Sequence, residues 1–169
     1  MSHRFKLFDK HTVPSVEAQT NQDFLWMVLF DETTSTRWRE RVADYNCQPI
    51  YVTDYLRDLQ FIIQGGPTPW TVTTRLDNDD AIHPEFIATI QAAAKPTTEF
   101  LNIPNGWYGS KPHHHRANPF MSFVERTELA RTIYFTAHGI AMAEHAPIRQ
   151  ISNKRLWTQI IHERNYRNV

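Results

Sequence analysis

The chain has 169 residues, with 18 Lys and Arg against 18 Asp and Glu, so it carries no net charge with His neutral and gives no electrostatic case for nucleic acid or an anionic membrane surface. Its one cysteine, Cys47, excludes an intrachain disulfide and a multi-cysteine zinc site, as suits a reducing cytoplasm. The longest apolar run, Phe24 to Phe30, falls far short of the ~20 residues of a spanning helix, and Met1-Ser2-His3-Arg4 does not open a signal peptide, so the expectation is a cytoplasmic protein with no transmembrane segment.

Length predicts a single domain over residues 1–169, large enough to bury a core. Residues Phe5 to Gln19 place Leu7, Phe8, His11, Thr12, Ser15 and Val16 at helical spacing, with Pro14 either kinking that helix or starting a second one. The turn Thr20-Asn21-Gln22-Asp23 leads into FLWMVLF. That run is apolar on both faces, as expected for a central strand of a parallel sheet covered by helices on both sides. Asp31-Glu32-Thr33-Thr34 makes its polar exit. Ser35 is placed to cap a helix to about Asn46, and a short strand follows over Ile50 to Thr53. Asp54 is placed to cap a further helix with Leu56, Leu59, Ile62 and Ile63 inward, ending at Gly65-Gly66-Pro67. A strand over Thr71 to Leu76 and a helix from Pro84 to about Ala94 come next, the helix carrying Phe86, Ile87 and Ile90 on one side. This alternation predicts an α/β fold with a mostly parallel central sheet flanked by helices. Beyond Lys95-Pro96 the texture changes to short β-like pieces, Glu99 to Ile103, Met121 to Glu125 and Thr132 to Phe135, a small mixed β region. Finally, Leu156, Trp157, Ile160 and Ile161 stand at helical spacing within Asn153 to His162 and predict a terminal helix.

The stretch WTVTTRLDNDDAIH, Trp70 to His83, carries the most chemistry, because a strand ends there in Asp77, Asp79 and Asp80. Side chains alternate along a strand, so Asp77 and Asp79 are expected on one side with Arg75, and Asn78 on the other. Two convergent carboxylates repel unless a cation neutralises them. Mg²⁺ and Mn²⁺ suit oxygen-only sites of one or two carboxylates completed by substrate phosphates. The competing reading is a turn and helix cap, with Asp80 starting the next helix and Pro84 in its first turn. Position favours the site: in open α/β sheets, ligands lie beyond the carboxyl ends of strands. Arg75 is placed either to touch a phosphate or to make a structural ion pair beneath the site.

Three segments, RFKLFDKHTVPSVEAQTNQDFLWMVLFDE, TTRLDNDDAIHPEF and WTQIIHERN, together resemble the rhamnosyltransferase-like glycosyltransferases of the GT-A fold over nearly the whole chain. The R-L-D-x-D-D element is the most specific piece and P-S-x-x-x-Q-T supports it, while the C-terminal match is looser. The resemblance implies a nucleotide-sugar donor, an unknown glycan or other acceptor, and Mn²⁺ or Mg²⁺ held by Asp77 and Asp79. It divides the chain into a donor and metal half, 1–94, and an acceptor-side half, 95–169. It also implies a strand ahead of the first helix, which helps form the pocket for the nucleotide base. The given sequence opens on the helix, so a partner chain or second protomer is expected to complete the sheet.

Within that frame Asp80 is expected to contact the sugar or cap the helix, and Arg75 to serve the donor. Glu125, ending the FMSFVE strand, is the candidate base for the acceptor hydroxyl, with a surface ion pair to Arg126 as the alternative. His162 is the candidate third metal group, supported by Asn165, with a helix-end histidine as the alternative. The triplet His113-His114-His115 lies between Pro112 and Asn118-Pro119 without an H-x-x-x-H or Cys partner, and reads as a solvated loop rather than a zinc site. Asn105-Gly106-Trp107-Tyr108-Gly109 offers aromatic faces to a sugar but reads first as a hairpin turn at Asn-Gly. Two rivals remain: a non-catalytic descendant that binds a nucleotide sugar or glycan or scaffolds a partner, and another phosphoryl-transfer or hydrolytic metal enzyme. The absence of a P-loop and of a second carboxylate set counts against the latter.

Overall fold

A computed structural model describes residues 2–136 and 139–163. The chain opens on a helical run: α1 (Ser2–Leu7), a π turn over Phe8–Thr12, and α2 (Val13–Glu17). Pro14 lies in the first turn of α2. It has no N–H to return to the preceding turn, and just before it the hydrogen bonding widens, Val13 N–H reaching the Phe8 carbonyl. The two alternatives for Pro14 thus merge: one continuous run with a second helix beginning at the proline.

β1 (Met27–Asp31) and β2 (Gln48–Val52) pair in parallel, joined by α3 (Thr36–Val42). The opening helices cover this ribbon through Phe5, Phe8 and Val13, joined by Val42 of α3, against Trp26, Val28 and Phe30. α4 (Tyr55–Gln64) follows, capped as expected by Asp54, whose carboxylate accepts from the Leu56 and Arg57 amides at 3.1 and 3.2 Å. Only part of its apolar face is used: Leu59 is buried, while Ile62 is exposed.

A four-stranded sheet has the order β3 (Trp70–Thr74), β8 (Ser122–Arg126), β5 (Glu99–Asn102), β9 (Ile148–Gln150). Its first two pairings are antiparallel and its third is parallel. A second has the order β4 (Ala81–Ile82), β10 (Arg155–Gln159), β6 (Asn105–Tyr108), β7 (Lys111–His114). Between these sheets α5 (Phe86–Ala93) packs Phe86 and Ile90 with Leu101, Ile103, Val124, Leu156 and Trp157.

The fold is α/β, as expected, but the described strands form three small sheets in place of one mostly parallel sheet. β1 is correspondingly half-buried rather than central, and among the described residues its edge opposite β2 pairs with no strand. The expected terminal helix is β10. Its register with β6 runs Arg155↔Asn105 and then Thr158↔Trp107, three steps against two. The extra residue is a bulge, which lets the adjacent Leu156 and Trp157 both be buried and so imitates helical spacing. Thr132 to Phe135 is not a strand either; Thr132 has φ 65° and its hydroxyl caps a 3₁₀ turn, Ile133–Phe135. Asn105-Gly106 lies inside β6, and the hairpin turns at Gly109, with φ +57°.

Candidate active site

After Thr74 the chain leaves one sheet and enters the other at Ala81, so the acidic loop bridges the two. Its turn is closed by the Asp80 amide on the Asp77 carbonyl at 3.2 Å. β4 pairs antiparallel with β10, Trp157↔Ile82 and Thr158↔Ala81. Continued, that register runs residues 160–162 back alongside 79–77, which is how the C-terminal segment reaches the loop. Asp80 fixes the junction. It is 3 % exposed, its Oδ1 accepts the Ile160 N–H at 2.8 Å, and its carbonyl accepts the Thr12 hydroxyl at 2.8 Å. Burial pushes its carboxyl up to about 7; the Ile160 amide opposes this, and the charges of Asp79 and Asp77 add to it.

Asp77 and Asp79 take separate partners. Arg75 donates from Nε to Asp77 Oδ1 at 3.0 Å and from Nη2 to Oδ2 at 3.4 Å. Its guanidinium also lies 5.6 Å from the Tyr134 ring centroid. Burial works against the Arg75 charge, but Asp77 holds its pKa above the ordinary value. Asp79 Oδ2 lies 2.9 Å from His162 Nε2. The His162 ring meets His3 edge to face at 5.7 Å. His11 feels the same cluster: burial, Lys10 and His162 lower its pKa, and Asp79 opposes them.

Arg75, Asp77, Asp79, Asp80 and Tyr134 border a cleft of about 1590 Å³ that runs from β1 past the acidic loop to the β6–β7 hairpin, and His162 reaches it through Asp79. Among the described residues, no three His, Cys, Asp or Glu side chains are grouped to hold a metal. Of the side chains expected to hold a metal, Asp79 and His162 lie side by side, a carboxylate and an imidazole of the kinds that divalent ions accept, while Asp77 is engaged by Arg75. Asn165, the expected support of His162, lies outside the described residues.

Glu125 is placed elsewhere. It pairs with Thr71 across the antiparallel β3–β8 ladder, while Asp77 lies six residues further along the chain. It is 4 % exposed, and its two oxygens accept the Arg131 and Thr132 amides, each at 2.8 Å. Burial raises its pKa and these two amides lower it. Glu125 therefore fixes the turn that carries Tyr134 to Arg75, and it does not border the cleft. Sequence reasoning missed Tyr134, Gln159 and Thr12 at this site, since no local pattern separates a loop tyrosine or a helix threonine from its neighbours.

A family model matches residues 1–168. The chain belongs to the family described as Putative rhamnosyl transferase. Comparison with curated proteins gives no match. The rhamnosyl transferase match spans the helical opening, the acidic loop and β10, three parts that border the cleft. Among the described residues no helix is long and apolar enough to cross a membrane.

Proposed function

We propose that this protein is a glycosyltransferase of GT-A type that moves a sugar from a nucleotide-sugar donor to a hydroxyl-bearing acceptor. The observation that carries the reading is the coincidence of a family match over residues 1–168 with an acidic loop set in the wall of a large cleft. Asp79 and His162 would hold Mn²⁺ or Mg²⁺, which when bound offsets the charge that builds on the departing diphosphate. Arg75 supplies a fixed guanidinium at the same place, already oriented by Asp77 and Tyr134, so it is aligned for phosphate oxygens at little further entropic cost. Asp80 orients this constellation by tying the loop to Ile160 and Thr12, while Glu125 braces the turn behind Tyr134 without touching the site. The open edge of β1 is where a partner chain or second protomer would complete the sheet.

A second reading, a domain that binds a nucleotide sugar without turning it over, is favoured by the pairing of Asp77 and Asp79 with the chain's own side chains, Arg75 and His162. The two readings part on one experiment. Incubating the protein and Mn²⁺ with a panel of nucleotide sugars and glycoside acceptors, and weighing the products, should give an acceptor heavier by one sugar. Donor binding without that product would leave only the binding domain.

A further inference from the structure

The cleft has two chemically distinct ends. At the acidic loop it is bordered by the charged groups Asp77, Asp79 and Arg75; past Gln159 it is bordered by Tyr108, His113 and His115. A charged end suits a nucleoside diphosphate, and an end of rings and an amide, with no carboxylate, Lys or Arg among its described residues, suits an uncharged ligand rich in hydroxyls. We propose that the rings of Tyr108, His113 and His115 form the docking platform for a saccharide acceptor, an inference that rests on the glycosyl-transfer reading above.

The β6–β7 hairpin places Tyr108 opposite Lys111 and Gly106 opposite His113. The Tyr108 and His113 ring centroids are 5.8 Å apart, and those of His113 and His115 are 6.1 Å apart, so three rings follow one another along the wall. Their floor is Trp157, edge to face with His113 at 6.0 Å. Trp157 is itself fixed, stacked on Phe120 at 4.9 Å with its indole N–H on the Ile103 carbonyl at 2.7 Å. The β6 backbone presses so close to the indole that a Cβ at Gly106 would come within 2.1 Å of it. The platform is thus built on packed side chains rather than on a free loop.

It also lies in line with the charged end. Tyr108 pairs with Gln159 across β6 and β10, and the next residue, Ile160, donates its amide to Asp80. A pyranose presents a C–H face that packs on aromatic rings and hydroxyls that bond to an amide or an imidazole nitrogen. Burial, with His113 and His114 nearby, lowers the His115 pKa, which keeps its imidazole neutral at physiological pH.

The test uses the full chain and saturation-transfer NMR with the methyl glycosides of rhamnose, glucose, galactose and N-acetylglucosamine. Calorimetric titration with nucleoside diphosphates and Mn²⁺ runs on the same samples. Tyr108→Ala and His113→Ala remove exposed rings and should fold as the parent does; Tyr108→Phe keeps the ring. At least one glycoside should bind the parent and the Phe variant, and both Ala variants should weaken it by about tenfold, with nucleoside diphosphate affinity unchanged. Equal glycoside binding in all four proteins, or none in the folded parent, overturns the platform. Loss of nucleoside diphosphate binding in the parent counts against the transferase reading, and leaves the glycoside result to decide the platform by itself.

Discussion

The acids at the rim of the cleft and the acids beneath it are held in opposite ways. Asp77 and Asp79, with side chains 41 % and 27 % exposed, are held by the side chains of Arg75 and His162. Asp80 and Glu125, nearly sealed from solvent, are held by backbone amides of Ile160, Arg131 and Thr132. A side-chain partner can swing aside when a ligand arrives, because only a rotamer changes. A backbone amide cannot do so without moving the segment it belongs to. Carboxylates of the first kind are available to chemistry, and those of the second kind fix the frame.

The largest effect that sharpens this contrast is a pH dependence of stability at Asp80. An unfolded Asp ionises near pH 4, whereas the folded carboxyl is pushed up to about 7. Between those values the native state keeps a proton that the unfolded chain has released, so stability is fullest below about pH 4 and falls as pH rises through about 7. A shift of this size corresponds to about 4 kcal/mol, as an order of magnitude. Urea unfolding across that range should show the decline, and Asp80→Asn, which keeps an acceptor for Ile160, should flatten it. A rim acid substituted in the same way should shrink the slope but leave most of it in place, because burial is the largest cause of the shift and the charges of Asp79 and Asp77 are smaller ones.

Glu125→Ala comes next. Removing both acceptors strands two amides at a buried turn, and unfolding free energy should fall by about 3 kcal/mol. Nucleoside diphosphate affinity, measured on the folded protein, should change by less than about threefold. A large affinity loss with unchanged stability would move Glu125 from the frame into the chemistry. The smallest effect belongs to Asp54, which is held by backbone amides yet lies in solvent. Asp54→Ala should cost about 1 kcal/mol in urea unfolding, since water replaces the lost partner. A cost as large as that for Glu125 would show that burial is not what separates the two classes.

Sequence pattern revealed the rim better than the frame. The Asp54 cap and the Arg75–Asp77 pair depend on residues a few positions apart, and local spacing displays them. The approach of His162 to Asp79 spans 83 positions and was anticipated only through family resemblance. Glu125 lies away from the cleft because β8 runs antiparallel to β3, which pairs it with Thr71, and strand spacing does not reveal that direction. β10 was misread because a bulge buries two adjacent residues, and that pattern has the look of a helix. In each case the deciding fact is a pairing partner remote in the chain, which no window of local periodicity contains.

The most direct measurement is calorimetric titration of the protein and of Asp79→Ala with nucleoside diphosphates, with and without Mn²⁺. The parent should bind one nucleoside diphosphate only when Mn²⁺ is present, and the variant should lose that binding by about 100-fold while its thermal unfolding stays close to the parent's. Metal-independent binding that survives Asp79→Ala would contradict the assignment of the rim carboxylate to the metal and the diphosphate.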